Sequence, residues 1–209
     1  MTEREQLEQT IAQLEAQRAI LGDSVVDAST AALREKLAAL EPTSFAKQRK
    51  QATILFADVS GFAALSEAMD TEEVSDLMNE LWQRWDAIII EHGGVIDMHM
   101  GGSTMALWGV QEAREDDPER AIRAALLMRS ELAAFGAGRQ LDLAIRAGLN
   151  TGPVLLGKLE TTGELSVFGD AVNLAARVKG AAPVGGVLIS HDTYRHVRGV
   201  FEVLAQEPV

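Results

Sequence analysis

The chain has 209 residues, 47% hydrophobic and 24% charged, enough to bury a core and too apolar to remain disordered. Its 19 Lys and Arg face 31 Asp and Glu, a formal net charge of −12, which argues against a nucleic-acid duplex or an anionic membrane surface as main partner but leaves room for a small anion held by local donors. With no cysteine, disulfides, thiolate nucleophiles and the usual structural zinc sites are excluded. The opening MTEREQLEQT shows no secretory pattern, and no apolar run approaches the roughly 18 residues of a membrane span. A cytoplasmic location with no membrane segment is therefore expected.

Residues 1–41 read as helical. Leu7, Ile11, Leu14, Leu21 and Val25 follow coiled-coil spacing, with Arg18 in one seam position. Gly22-Asp23 interrupts the run, and Asp23 or Ser24 is placed to cap a second helix carrying Leu33, Leu37 and Leu40. Glu41-Pro42 ends it, because the residue before proline is pushed out of the helical region. A parallel dimerisation stalk is the favoured reading; an amphipathic hairpin packed on its own domain is the other. Residues 42–50 then form a linker and 51–209 the main domain.

Ala52–Ala57 is an apolar, partly β-branched strand ending at Asp58-Val-Ser-Gly61. An acid at a strand end, followed by Ser-Gly at a helix start, suits a cation and phosphates held together. Asp70-Thr-Glu-Glu73 reads as a capping box before a helix whose face is traced by Val74, Leu77, Met78, Leu81, Trp85, Ile88 and Ile89. Trp82 and Trp85 are read as core or subunit-interface residues. His92-Gly93-Gly94 ends that helix. Residues 94–100 and 104–108 make two strands joined by a tight turn at Gly101-Gly102. Asp117-Pro118 caps a helix to about Phe135. Residues 141–151, 154–156, 165–168 and 187–190 are strand-like, and Gly169-Asp170 opens a helix to Lys179. The order βαββαβ implies an α+β, ferredoxin-like core. His92, His99, His191 and His196 show no ligand spacing and are assigned to packing or surface. Gly152–Lys158 mimics a phosphate-binding loop, but Leu159 replaces the required Ser or Thr and strand follows where helix should.

Four segments carry a resemblance: Phe56–Phe62 (FADVSGF), Gly93–Gly101 (GGVIDMHMG), Ile145–Gly152 (IRAGLNTG) and Val167–Arg177 (VFGDAVNLAAR). In this order they resemble the class III nucleotidyl cyclase catalytic domain. The resemblance implies a domain that converts a nucleoside triphosphate to a cyclic nucleotide and pyrophosphate at sites shared between two subunits, with Mg²⁺ or Mn²⁺ as cofactor. It implies Asp58 as a metal ligand, and Ser60, Gly61 and Phe62 at the phosphates. Arg146 would touch the terminal phosphates and Ser166 would read the purine. Asn173 and Arg177, one turn apart on one helix face, would orient the ribose and stabilise charge on the α-phosphate.

Two positions depart from the family pattern. Gly102 stands where the second metal carboxylate belongs, and Met98 where a lysine usually reads adenine, a contact methionine has no N–H to make. The expectation is therefore a degenerate adenylyl cyclase-type domain with weak or no turnover of ATP. It would act as a dimeric regulatory module, as a homodimer or a heterodimer with another cyclase domain. The alternative is an active adenylyl cyclase with an unusual metal site or a complementary partner subunit. A third reading gives residues 1–41 the main role, as a signal-transmitting dimer. The run Phe201–Val209 is expected to stop before the family's last strand.

Overall fold

In the computed structural model, the described residues are 3–16, 18, 22, 23, 26, 27, 29–31, 33, 48–158 and 165–206. The chain divides into two compact units, Met1–Ala46 with Lys158–Glu164, and Lys47–Gly157 with Leu165–Val209.

In the first unit, α1 spans Glu3–Ala16. Gly22 takes a left-handed backbone (φ 82°), and Arg18 gathers Glu15 at 2.7 Å, Asp27 at 2.9 Å and Asp23 at 3.1 Å. The expected seam position thus serves an ion-pair cluster within the chain. Leu21, Val25, Leu37 and Leu40, and Ser24 as a cap, lie outside the described residues, as does most of the linker.

The second unit is built on a six-stranded sheet. β1 (Gln48–Ser60) pairs antiparallel with β3 (Ser103–Trp108) on one side and β4 (Ala144–Lys158) on the other. β2 (Val95–Met100) forms the hairpin with β3 through Gly101-Gly102, as expected. β5 (Leu165–Phe168) lies beside β4, and β6 (Gly186–Ile189) joins β4 in parallel. Between the strands come α2 (Phe62–Ala68), α3 (Thr71–Glu91), α4 (Asp117–Ala137), α5 (Asp170–Ala181) and α6 (His191–His196).

Successive strand residues face opposite sides, and β1 is covered on both. Leu55, Ala57 and Val59 pack with Val74, Met78, Leu81, Trp85 and Ile89 of α3 and with Met128, Leu132 and Phe135 of α4. Trp85 is fully buried, and its Nε1 donates to the Met128 carbonyl at 3.2 Å. On the other face Ala52 and Ile54 join Met105, Leu107, Val154 and Leu156 under Ala171 and Ala175 of α5. This second covering explains why residues 52–55 are buried without alternation.

Several local expectations are corrected. Asp70 is the N-cap of α3 but its side chain makes no capping bond; two acids in the first turn still favour the helix dipole. Asp116, not Asp117, precedes α4, and Asp117 turns back to accept the Arg114 N–H at 2.8 Å. Residues 144–158 are one strand, not two, with Pro153 opposite Gln51. β1 extends to both sides of the apolar run, because polar residues 48–51 pair with 153–156.

Candidate active site

Asp58 sits near the end of β1, opposite Ser103 of β3 and Arg146 of β4. Strand parity turns its side chain toward the face that α5 covers. Ser103 Oγ donates to Asp58 Oδ1 at 2.9 Å, and Lys179 Nζ of α5 lies 3.8 Å from Oδ2. Arg146 forms no ion pair within the described residues, and its Nε is buried without a partner. One carboxylate is thus met by a hydroxyl donor and an ammonium group, with a guanidinium-bearing residue directly across the strand pair.

Backbone geometry sets this grouping. A Cβ on Gly148 would stand 2.0 Å from Lys179 N, and one on Gly152 would stand 2.9 Å from Ala171 Cβ. The two glycines let α5 lie directly on β4. Asn150, between them and buried, donates from Nδ2 to the Ala171 carbonyl at 2.9 Å. That residue was not singled out in the sequence, although an asparagine in a buried strand calls for a backbone partner.

Ser60 is the last residue of β1, Gly61 is left-handed (φ 95°) and Phe62 opens α2. Val59 N–H donates to the Gly102 carbonyl at 3.0 Å, tying the hairpin tip to this turn. Phe62 packs on Gly102 so closely that a Cβ there would meet its Cβ and Cγ at 3.0 Å. Position 102 carries no carboxylate, and a side chain there would need Phe62 to give way by a few tenths of an ångström.

The remaining expected residues lie elsewhere on the unit. Met98 is 45% exposed on β2, just past a bulge at Asp97. Ser166 is half-buried on β5. Asn173 and Arg177 are exposed on α5, on the side away from buried Ala171, Ala175 and Val178. Neither makes a hydrogen bond or ion pair among the described residues. Lys179 was missed in the sequence. The available signal was its place four residues after Ala175, on the sheet-facing stripe of α5, where a cation needs a partner.

His99 has a packing role, as expected. It stacks on Trp82 with ring centroids 4.9 Å apart, and its Nδ1 is 3.0 Å from Thr104 Oγ1. Its Nε2 hydrogen-bonds Asp86 Oδ2 at 3.3 Å, which ties β2 to α3.

Two divalent metals need at least two well-placed carboxylates or equivalent oxygen donors. Among the described residues, no group of three or more His, Asp or Glu is placed to hold an ion. Asp58 is the one carboxylate among the expected site residues, and it meets Ser103 and Lys179, so these residues do not fit a two-metal site.

Residues 45–209 match the family described as the adenylate and guanylate cyclase catalytic domain. The chain belongs to this family of class III cyclases. It is 30% identical over 164 residues to an adenylate cyclase of Anabaena cylindrica, covering 73% of this chain and 32% of that protein. A membrane guanylyl cyclase of Dictyostelium discoideum is 30% identical over 152 residues, 71% of this chain and 10% of that one. The chain thus spans a third or less of these curated relatives. Among solved structures, the adenylyl cyclase CyaB from P. aeruginosa superposes with a TM-score of 0.71 at 31% identity, covering 74% of this chain and 83% of that one. The guanylyl cyclase Cya2 gives 0.72 at 30%, over 78% and 87%. The class III cyclase fold expected from the four motifs is therefore the fold observed. No helix among the described residues is long and apolar enough to cross a membrane.

Proposed function

We propose that this chain is a degenerate adenylyl cyclase-type domain that dimerises, takes a nucleoside triphosphate near Asp58, and turns it over slowly or not at all, serving as a regulatory module. The observation that carries this reading is the state of the metal position: glycine at 102 beneath Phe62, with Asp58 engaged by Ser103 and Lys179. Each lost transition-state contact commonly costs ~2.7–4 kcal/mol, a factor of about 10² to 10³ in rate. Loss of the second carboxylate and of the purine-reading lysine then amounts to roughly 10⁴ or more if independent, and less where the two act as one unit.

In this reading Asp58, the Ser60–Phe62 turn and Arg146 are the residues of one subunit that would meet the phosphates. Ser166 would face the purine, and Asn173 and Arg177 would serve a site completed by a partner. A cyclase assay on the full chain with ATP or GTP, in Mg²⁺ and in Mn²⁺, tests it; turnover of ordinary enzymatic size contradicts it. Calorimetric titration with Mg·ATP tests the binding clause separately.

A second reading is supported by the exposure of Asn173 and Arg177, which bond no side chain or backbone group among the described residues. In a heterodimer they would be available to a subunit that supplies both carboxylates, making this chain half of an active adenylyl cyclase. Mixing with such a subunit would yield activity that Asn173→Ala in this chain abolishes. The structural relatives include a guanylyl cyclase domain from Blastocladiella emersonii solved both as a non-canonical dimer and as a monomer. Residues 1–41 are proposed as a dimerisation stalk. Their deletion, followed by light scattering, should leave a weaker dimer.

A further inference from the structure

We infer that Lys179 is a built-in counter-ion of Asp58, which keeps a free divalent cation off that carboxylate. The inference rests on the reading that Asp58 belongs to the phosphate site. Three observations carry it. Lys179 Nζ stands 3.8 Å from Asp58 Oδ2, within ion-pair range, while Ser103 Oγ donates to Oδ1 at 2.9 Å. The lysine backbone is seated on Gly148 of β4, where no side chain fits. Gly148 pairs with Phe56, two residues before Asp58 on the same face, so the side chain has only to run along that face.

Arg146, directly opposite Asp58, adds a second positive charge with a buried, unpartnered Nε. An entering cation would therefore have to displace the ammonium, approach the guanidinium and complete its shell with water, since Gly102 offers no carboxylate. A polyphosphate changes this balance. Its anionic oxygens can draw Lys179 and Arg146 and supply the ligands the protein lacks. Lys179 would thus oppose a bare divalent cation at Asp58 more strongly than one already bound by phosphate oxygens.

The chain is titrated with Mn²⁺ alone, the free ion being counted by its electron paramagnetic resonance signal. Lys179→Met should gain one site about tenfold tighter than any in the wild type, through removal of one nearby like charge. Lys179→Arg should behave as wild type, and adding Asp58→Asn to Lys179→Met should abolish the gain. Equal Mn²⁺ affinity in wild type and Lys179→Met overturns the inference, as does a gain that survives without the Asp58 carboxylate. Calorimetry with ATP on the same proteins separates the two readings. ATP bound with no Lys179 effect on Mn²⁺ removes the counter-ion role alone. A Lys179 effect without ATP binding removes the nucleotide clause of the proposed function and leaves the counter-ion in place.

Discussion

The backbone of Lys179 lies directly on Gly148: a Cβ added there would stand 2.0 Å from its nitrogen and 2.4 Å from its Cα. Neither atom belongs to a flexible side chain, so α5 as a whole would have to lift from β4. Gly148→Ala should destabilise the domain by about 3 kcal/mol, the upper end for overpacking. Urea unfolding followed by far-ultraviolet circular dichroism checks this; a change under about 1 kcal/mol would show that α5 is free to shift.

Phe62 and Gly102 set the terms for any restoration of activity. Gly102→Asp with Met98→Lys restores the two missing groups in type, yet the new Cβ at 102 would sit 3.0 Å from Phe62 Cβ and Cγ. The double change should therefore raise turnover but stay below the roughly 10⁴-fold ceiling set by two recovered contacts, since Phe62 has to shift to admit the new side chain. Pyrophosphate release is the readout. No gain in the double variant would place the obstacle elsewhere.

Asp97, at the bulge of β2, has its carboxyl held above the ordinary value of 3.8, because loss of hydration penalises the charged form. A carboxyl with a raised pKa contributes stability in its protonated form, below its unfolded value, and that contribution is lost as pH rises through the folded value. Asp97→Asn should therefore raise the unfolding midpoint at pH 7 and leave it unchanged at about pH 3, where the aspartate is largely protonated in both states. The residue is exposed, so the gain should be small. A gain at pH 3 equal to that at pH 7 would show that charge is not its source.

Much of the fold was legible because it is written locally. The apolar spacing of α3 appears in the structure as buried Val74, Met78, Leu81, Trp85 and Ile89, and Gly101-Gly102 turns the hairpin. What escaped depends on contacts far apart in sequence. The polar start of β1 is strand because residues 153–156 lie alongside it, and Pro153 is tolerated in the strand opposite Gln51, where it gives up only its own donor. The parallel β6 and the six-residue α6, capped by Ser190 Oγ on the Thr193 N–H, have no periodic signal to find. The site divides in the same way. Asp58 was visible as an acid at a strand end, whereas Lys179 meets it only because Gly148 lets α5 rest on the sheet.

Turnover by the chain alone separates a degenerate domain from an active one. Enzymes commonly turn over at around 10 s⁻¹, and two lost contacts lower that by about 10⁴, so cyclic AMP should form at or below about 10⁻³ s⁻¹ with saturating ATP and Mg²⁺ or Mn²⁺. A rate of about 1 s⁻¹ or more from the unmodified chain alone would contradict it.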